Sequence, residues 1–315
     1  MGNSEILTTS VALCTYNGAK HITTQIESIL TQSQPVDEIV VCDDGSKDET
    51  INIINSIKSN CSIKITVHQN ENNLGVCANF EKAISLCKGD IIFLSDQDDI
   101  WETDKVETIV SWFDKHKDKS AVFTDAKLIT DNGAPFIEKT LWECVGFNEK
   151  MRKYFDKGLD LESFFINKAT GATMAIRKEL HFPFSKYCNN DNVLHDYCIA
   201  LKALDNNKLG YIDKPLIKYR IHNTQQAGIS YQLSHPEIFC NIHRPLCNIP
   251  GTFPFESQTA KFRSEFGHLR HIYNAFQCLA NLLNYIRCYK RFFFGFFLYD
   301  MVYKTRIFQK NKIKS

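Results

Sequence analysis

Three carboxylates fall within four residues, Asp96, Asp98 and Asp99, where the apolar run GDIIFLS (89–95) ends. Like charges this close repel, and burial would push some of their pKa values up. The cluster is therefore either a solvated acidic turn or the seat of a cation. Magnesium and manganese prefer oxygen ligands, and magnesium is typically held by one or two carboxylates together with substrate phosphates. An Asp-x-Asp at a strand tip supplies half of such a site, and a nucleoside diphosphate would supply the other half. Two further polar clusters, Tyr16-Asn17 and Asp43-Asp44, follow apolar runs in the same way.

The elements that position these clusters can be read from hydrophobic period. SVALCTY (10–16), DEIVVCDD (37–44), IKITVHQ (63–69), GDIIFLS and AVFTDAKLI (121–129) are strand-like runs. Between them, apolar residues recur at helical spacing: Ile22, Ile26, Ile29 and Leu30; Ile51, Ile54 and Ile57; Phe80, Ala83, Ile84 and Cys87; Val106, Ile109, Val110 and Phe113. Asp48 reads as a helix N-cap. Strand and helix in alternation, with near-continuous apolar strands, predict an α/β fold with a mostly parallel, Rossmann-like sheet and helices on both faces. All three polar clusters then sit at the carboxyl ends of strands, where open α/β sheets bind ligands. Farther on, TGATMAIR (170–177) and KLGYIDKPLIKYRIH (208–222) read as strands and NVLHDYCIALKAL (192–204) as a helix.

Composition sets the outer bounds. The chain has 315 residues, 43% hydrophobic and 23% charged, with net charge +1. That is a globular mix, and it carries no global signature for polyanions, so no nucleic-acid partner is expected. None of the 12 cysteines falls in a C-x-x-C pair, which reads as free thiols of a reducing compartment. MGNSEILTTS has no basic-then-apolar leader, and no apolar run reaches the roughly 18 residues of a membrane span. A cytoplasmic location is expected.

TYNGA, VCDDGSKDET, NNLGVCANFEKAI (72–84) and FLSDQDDIW, in this order and spacing, resemble the nucleotide-binding segments of family 2 glycosyltransferases with the GT-A fold. The resemblance covers roughly residues 8 to 225 and is closest to bacterial rhamnosyltransferase-like members. It implies that Thr15, Tyr16, Asn17, Asp43 and Asp44 hold the nucleoside of a dTDP- or UDP-sugar, with Gly75, Asn79 and Asp96 completing the donor site. It implies Mn2+ or Mg2+ on Asp96, Asp98, Asp99 and His222. The family's general base, usually the second of a Glu-Asp pair, falls on Asp196. His195 departs from that pair, as a surface histidine or a residue with its own role, so glutamate there is expected to be tolerated. A Q-x-x-R-W segment of the polymerising branch is absent, which implies addition of a single sugar.

Residues 1–235 form the expected catalytic domain and 236–315 an aromatic-rich helical extension. In the extension, FFFGFFLY (292–299) is flanked by ArgCysTyrLysArg (287–291) and by Lys304, Arg306, Lys310, Lys312 and Lys314. Aromatics between cations suit a membrane surface; packing on the core is the other reading. Peripheral contact at the inner face of the cell membrane is expected, with a glycan or lipid-linked glycan as acceptor. The overall expectation is an inverting, metal-dependent hexosyltransferase. Its rivals are a sugar-phosphate nucleotidyltransferase, whose Arg-containing glycine loop TYNGAKHITT lacks, and a non-catalytic nucleotide- or glycan-binding module.

Overall fold

The computed structural model describes residues 7–156, 167–188, 194–205, 207–222 and Gln225. The expected extension at 236–315, with its Phe292–Tyr299 run, lies outside the described residues, as does the boundary at 235.

Eight strands form one sheet: β1 (Thr9–Thr15), β2 (Glu38–Asp43), β3 (Lys64–Gln69), β4 (Ile91–Ser95), β5 (Ile100–Trp101), β6 (Ala121–Thr130), β7 (Ala175–Arg177) and β8 (Leu209–Ile221). Their spatial order is β3-β2-β1-β4-β7-β6-β8-β5. The helices are α1 (Ile22–Leu30), α2 (Thr50–Asn60), α3 (Val76–Leu86), α4 (Lys105–Lys115), α5 (Leu141–Val145), α6 (Glu149–Phe155) and α7 (His195–Asp205).

β1, β2 and β4 are buried at every position, which is why they read as unbroken apolar runs: helices cover both faces of a parallel sheet. α1 buries Ile22, Gln25, Ile26 and Ile29, a stripe at helical spacing. β1 pairs in parallel with β2 on one side and β4 on the other. The chain runs outward from β1 through β2 to β3, then returns to lay β4 on the opposite side of β1. That reversal opens a crevice at the carboxyl ends of β1 and β4, so Tyr16 and Asp96 flank it.

The second half of the sheet mixes directions. β7 is antiparallel to both β4 and β6, whereas β6 and β8 run in parallel. The run 170–177 is strand only over Ala175–Arg177, preceded by a 3-10 turn at Gly171–Thr173. β8 carries a proline, Pro215, which the sheet accommodates at a register shift opposite Asp125. Asp48 lies one residue before the cap of α2 and still accepts the Thr50 N–H at 3.1 Å.

β5 matters most for the site. Ile100 pairs with Lys218 and Trp101 with Ile217, antiparallel. Stepping back along the chain from Ile100 to Asp98 therefore steps forward along β8 from Lys218 toward Arg220 and His222. Two residues of strand thus bring an acidic turn and a histidine from 124 positions away to the same place.

Candidate active site

The polar loops after β1 and β2 are held by their own hydrogen bonds. Asp43 is fully buried and accepts four hydrogen bonds: from Thr15 Oγ1, Ser46 Oγ and the N–H groups of Gly45 and Ser46. Asp44 accepts from Asn70 Nδ2 at 2.8 Å and from the N–H groups of Leu74 and Gly75 at 2.7 and 2.9 Å. Gly75, at φ +81°, turns the chain into α3, a backbone angle that glycine adopts without steric cost. Asn79 is buried and donates to the Cys42 carbonyl while accepting from Asn70. Asp43, Asp44 and Asn79 are thus engaged in building the loop walls. Asn17, itself at φ +49°, accepts the Lys47 N–H at 2.8 Å and donates its own N–H to Ser46 Oγ. Tyr16 remains open, with 37% of its surface exposed at the crevice edge.

The acidic turn is not one cluster but three differently employed carboxylates. Asp98 Oδ2 lies 2.8 Å from His222 Nε2. Asp99 is buried, its Oδ1 accepting the Arg220 N–H at 2.9 Å while Oδ2 has no hydrogen-bond partner. Asp96 is half-buried, and its carboxyl pKa is pushed up to about 7 by desolvation first, then by the charges of Asp98 and Asp196. Arg220 ties the turn down: Nε donates to the Asp98 carbonyl at 2.6 Å, and Nη1 donates to the carbonyls of Thr130 and Asp131. The His21 ring leans on His222 with centroids 5.4 Å apart, and its Nε2 lies 2.9 Å from Asp131 Oδ1.

Behind the turn sits a lysine that no sequence motif marks. Lys105, fully buried at the start of α4, donates to the Ala172 carbonyl at 2.9 Å and lies 3.9 Å above the Trp101 ring. Burial pushes its pKa down to about 7, against the pull of Asp99 and Asp96. It faces the acids without competing for the crevice.

Asp196 stands at the first turn of α7. Its Oδ2 accepts the Gly171 N–H at 2.9 Å and its Oδ1 the Tyr197 N–H at 2.7 Å. Its charge adds, after desolvation and Asp98, to the upward push on the Asp96 carboxyl. His195 is not a surface residue: it is 3% exposed and stacked on Phe80, with ring centroids 3.9 Å apart. Neither ring nitrogen makes a hydrogen bond of normal geometry. Gly171 is needed here for space, because a Cβ would lie 2.6 Å from His195 Nε2.

The Asp98 carboxylate is the oxygen donor that Mn2+ and Mg2+ prefer, and the His222 imidazole beside it is a nitrogen donor that suits a transition ion better than magnesium. Among the described residues, however, no group of three or more His, Cys, Asp or Glu side chains gathers as a metal seat. Of the expected set, Asp98 and His222 are in direct contact, while Asp99 is tied to the Arg220 N–H. What is present fits the half-site whose remaining positions a diphosphate fills.

A sheet of this order, with polar loops at its switch point and an acid at a helix start, is that of the GT-A fold. The chain belongs to glycosyl transferase family 2, whose model matches residues 10–181. It is 29% identical over 239 residues to the dTDP-rhamnosyl transferase RfbG of Shigella flexneri, covering 72% of this chain and 78% of that protein. It is 28% identical over 211 residues to the chondroitin synthase of Escherichia coli, 62% of this chain but 30% of that longer protein. Among solved structures it resembles the mannosyltransferase PcManGT of Pyrobaculum calidifontis, in complex with GDP-Man and Mn2+, at TM-score 0.54 and 17% identity, over 90% of this chain and 76% of that one. The S. aureus TarS fragment 1-349 with UDP-GlcNAc gives TM-score 0.53 at 19% identity, over 78% and 68% of the two chains.

Proposed function

We propose that the chain transfers one hexose, rhamnose first among candidates, from a dTDP- or UDP-sugar to a hydroxyl of a surface-glycan acceptor, with inversion at the anomeric carbon. The observation that carries this reading is the pairing of Asp98 with His222, 2.8 Å apart at the carboxyl end of the sheet. The similarity to a dTDP-rhamnosyl transferase supports the choice of donor.

In this reading Asp98 and His222 hold Mn2+ or Mg2+, and Asp96 adds its charge to the same seat. Bound there, the cation would offset the charge that develops on the departing diphosphate. The Tyr16 ring and the walls built by Asp43, Asp44 and Asn79 receive the base and ribose. Asp196 takes the proton of the acceptor hydroxyl as the oxygen attacks the anomeric carbon from the face opposite the diphosphate. Its two N–H donors hold the carboxylate in place for that task, and general-base assistance is typically worth about 10²–10⁴ in rate. Lys105 and Arg220 keep the acidic turn from springing apart before the donor arrives.

Among the described residues no helix is long and apolar enough to cross a membrane. Our reading keeps the protein in the cytoplasm, with the basic aromatic segment around Phe292–Tyr299 resting on the inner membrane face, where a lipid-linked acceptor would be found.

The direct test is a panel of nucleotide sugars in a thermal-shift assay with Mn2+, since a ligand of the folded state raises apparent stability. dTDP-rhamnose or a UDP-hexose is expected to give the largest shift. A panel with no shift for any donor would remove the reading.

A further inference from the structure

Gln97, between the two aspartates of the motif, makes two hydrogen bonds that belong to neither of them. Its Oε1 accepts the Tyr16 N–H at 2.8 Å, and its Nε2 donates to the Tyr16 carbonyl at 3.0 Å. β1 and β4 pair through Leu13 and Ser95 and then separate. Two residues beyond that last pair, a side-chain amide supplies the donor and acceptor that a neighbouring strand would have supplied. Asparagine and glutamine carry a donor and an acceptor on two atoms of one planar amide, and the Tyr16 N–H and C=O fix which way that amide faces.

The neighbouring loop is cut to admit it. A Cβ on Gly18 would lie 2.2 Å from Gln97 Oε1 and 2.5 Å from its Cδ. Gly18 is not at a positive φ, so the demand there is for room and not for an unusual backbone. Gln97 thus crosses the crevice floor at the β1/β4 switch point and joins the loop carrying Tyr16 to the turn carrying Asp96 and Asp98.

We propose that Gln97 is a positioning residue that fixes the distance between the nucleoside loop and the acidic turn, so that a nucleoside diphosphate engages both at once. This rests on the nucleotide-sugar reading above. A ligand that touches only one of the two loops does not need the tie, whereas a ligand that spans them does. Without the tie the two loops sample other separations, and a spanning ligand must restore the one it needs, a cost of up to about tenfold in affinity if both hydrogen bonds' net contribution is involved.

The test compares UDP and dTDP with inorganic pyrophosphate, each with Mn2+, by calorimetry on the full chain. Gln97→Met, which keeps length and removes the amide, is expected to weaken the nucleotides about tenfold and pyrophosphate less than about twofold. Donor KM should rise by the same factor with kcat nearly unchanged. Gly18→Ala, which pushes on the amide from the other side, is expected to do the same, and the double variant should be no worse than either single one. Equal weakening of nucleotide and pyrophosphate would confine Gln97 to the acidic turn and overturn the proposal. So would unchanged nucleotide binding, or loss of folding in both variants, which would make the contact a structural tie alone. A wild-type chain that binds pyrophosphate but neither nucleotide would instead sink the nucleotide-sugar reading, and the proposal with it.

Discussion

His222 Nε2 and Asp98 Oδ2 meet at 2.8 Å across 124 residues of sequence, because β5 pairs antiparallel with β8 directly after the acidic turn. Neither residue is placed by its own loop. The contact depends on a register, and the register depends on Ile100 and Trp101, whose backbones take the edge of β8. If the two side chains act as one seat, their removal should not be additive. Asp98→Ala and His222→Ala should each lower transfer on the order of 10²-fold, the scale seen when a single charge-stabilising contact is lost. The double variant should lose little more than the worse single one. Full additivity in steady-state rates would separate the two residues.

Asp196→Asn should leave donor binding in place and reduce turnover by roughly 10²–10⁴. Both carboxylate oxygens accept backbone N–H groups, from Gly171 and Tyr197. An amide can satisfy only one of them, so the variant should also lose about 1 kcal/mol of stability. Near-normal kcat in a folded Asp196→Asn protein would move the base elsewhere.

His195→Glu illustrates what burial changes. Sequence alone reads the substitution as a return to the family's acidic pair. The ring is instead 3% exposed, flat against Phe80 and hard against Gly171. A carboxylate there would be desolvated against Phe80 and Gly171, a destabilisation of several kcal/mol. Denaturant melts should show His195→Glu far less stable than wild type, with His195→Phe between them. A fully stable His195→Glu protein would contradict the packing.

The outline of the fold was legible because its signals are local. The Ile22, Ile26 and Ile29 stripe, the buried run of β1 and the polar residues after each strand are properties of a few adjacent positions. The antiparallel insertion of β7 and the β5–β8 pairing were not legible, since neither carries a signal shorter than the distance between the partners. The same limit applied within the site. Asp43 and Asp44 mark, as a pair, the polar loop that follows β2. That their oxygens are spent on Ser46, Asn70, Leu74 and Gly75 is a matter of three-dimensional packing. Lys105 carries no signal of its own beside the Val106, Ile109 and Phe113 stripe, and only its burial shows an amine beneath the acids.

Asp96 gives a pH dependence with a definite sign. Its folded pKa is raised to about 7, against about 3.9 in an unfolded chain. Between those values the folded state holds a proton that the unfolded state has released, so this group's contribution to stability falls as pH rises from about 4 to about 7. In EDTA the melting temperature of wild type relative to Asp96→Asn should fall as pH rises over that range. Mn2+ requires ionised ligands, so the rise in melting temperature on adding it should be larger at pH 8 than at pH 6. A larger rise at pH 6 would exclude the acidic turn as the cation seat.

The most direct measurement of the central claim is calorimetry of dTDP and UDP binding to the full chain, with Mn2+ and then with EDTA, for wild type and Asp98→Ala. The account predicts binding to wild type with Mn2+, severe weakening in EDTA, and the same weakening in Asp98→Ala with the metal present. Equal affinity with and without the metal, or an Asp98→Ala protein that binds like wild type, would contradict it.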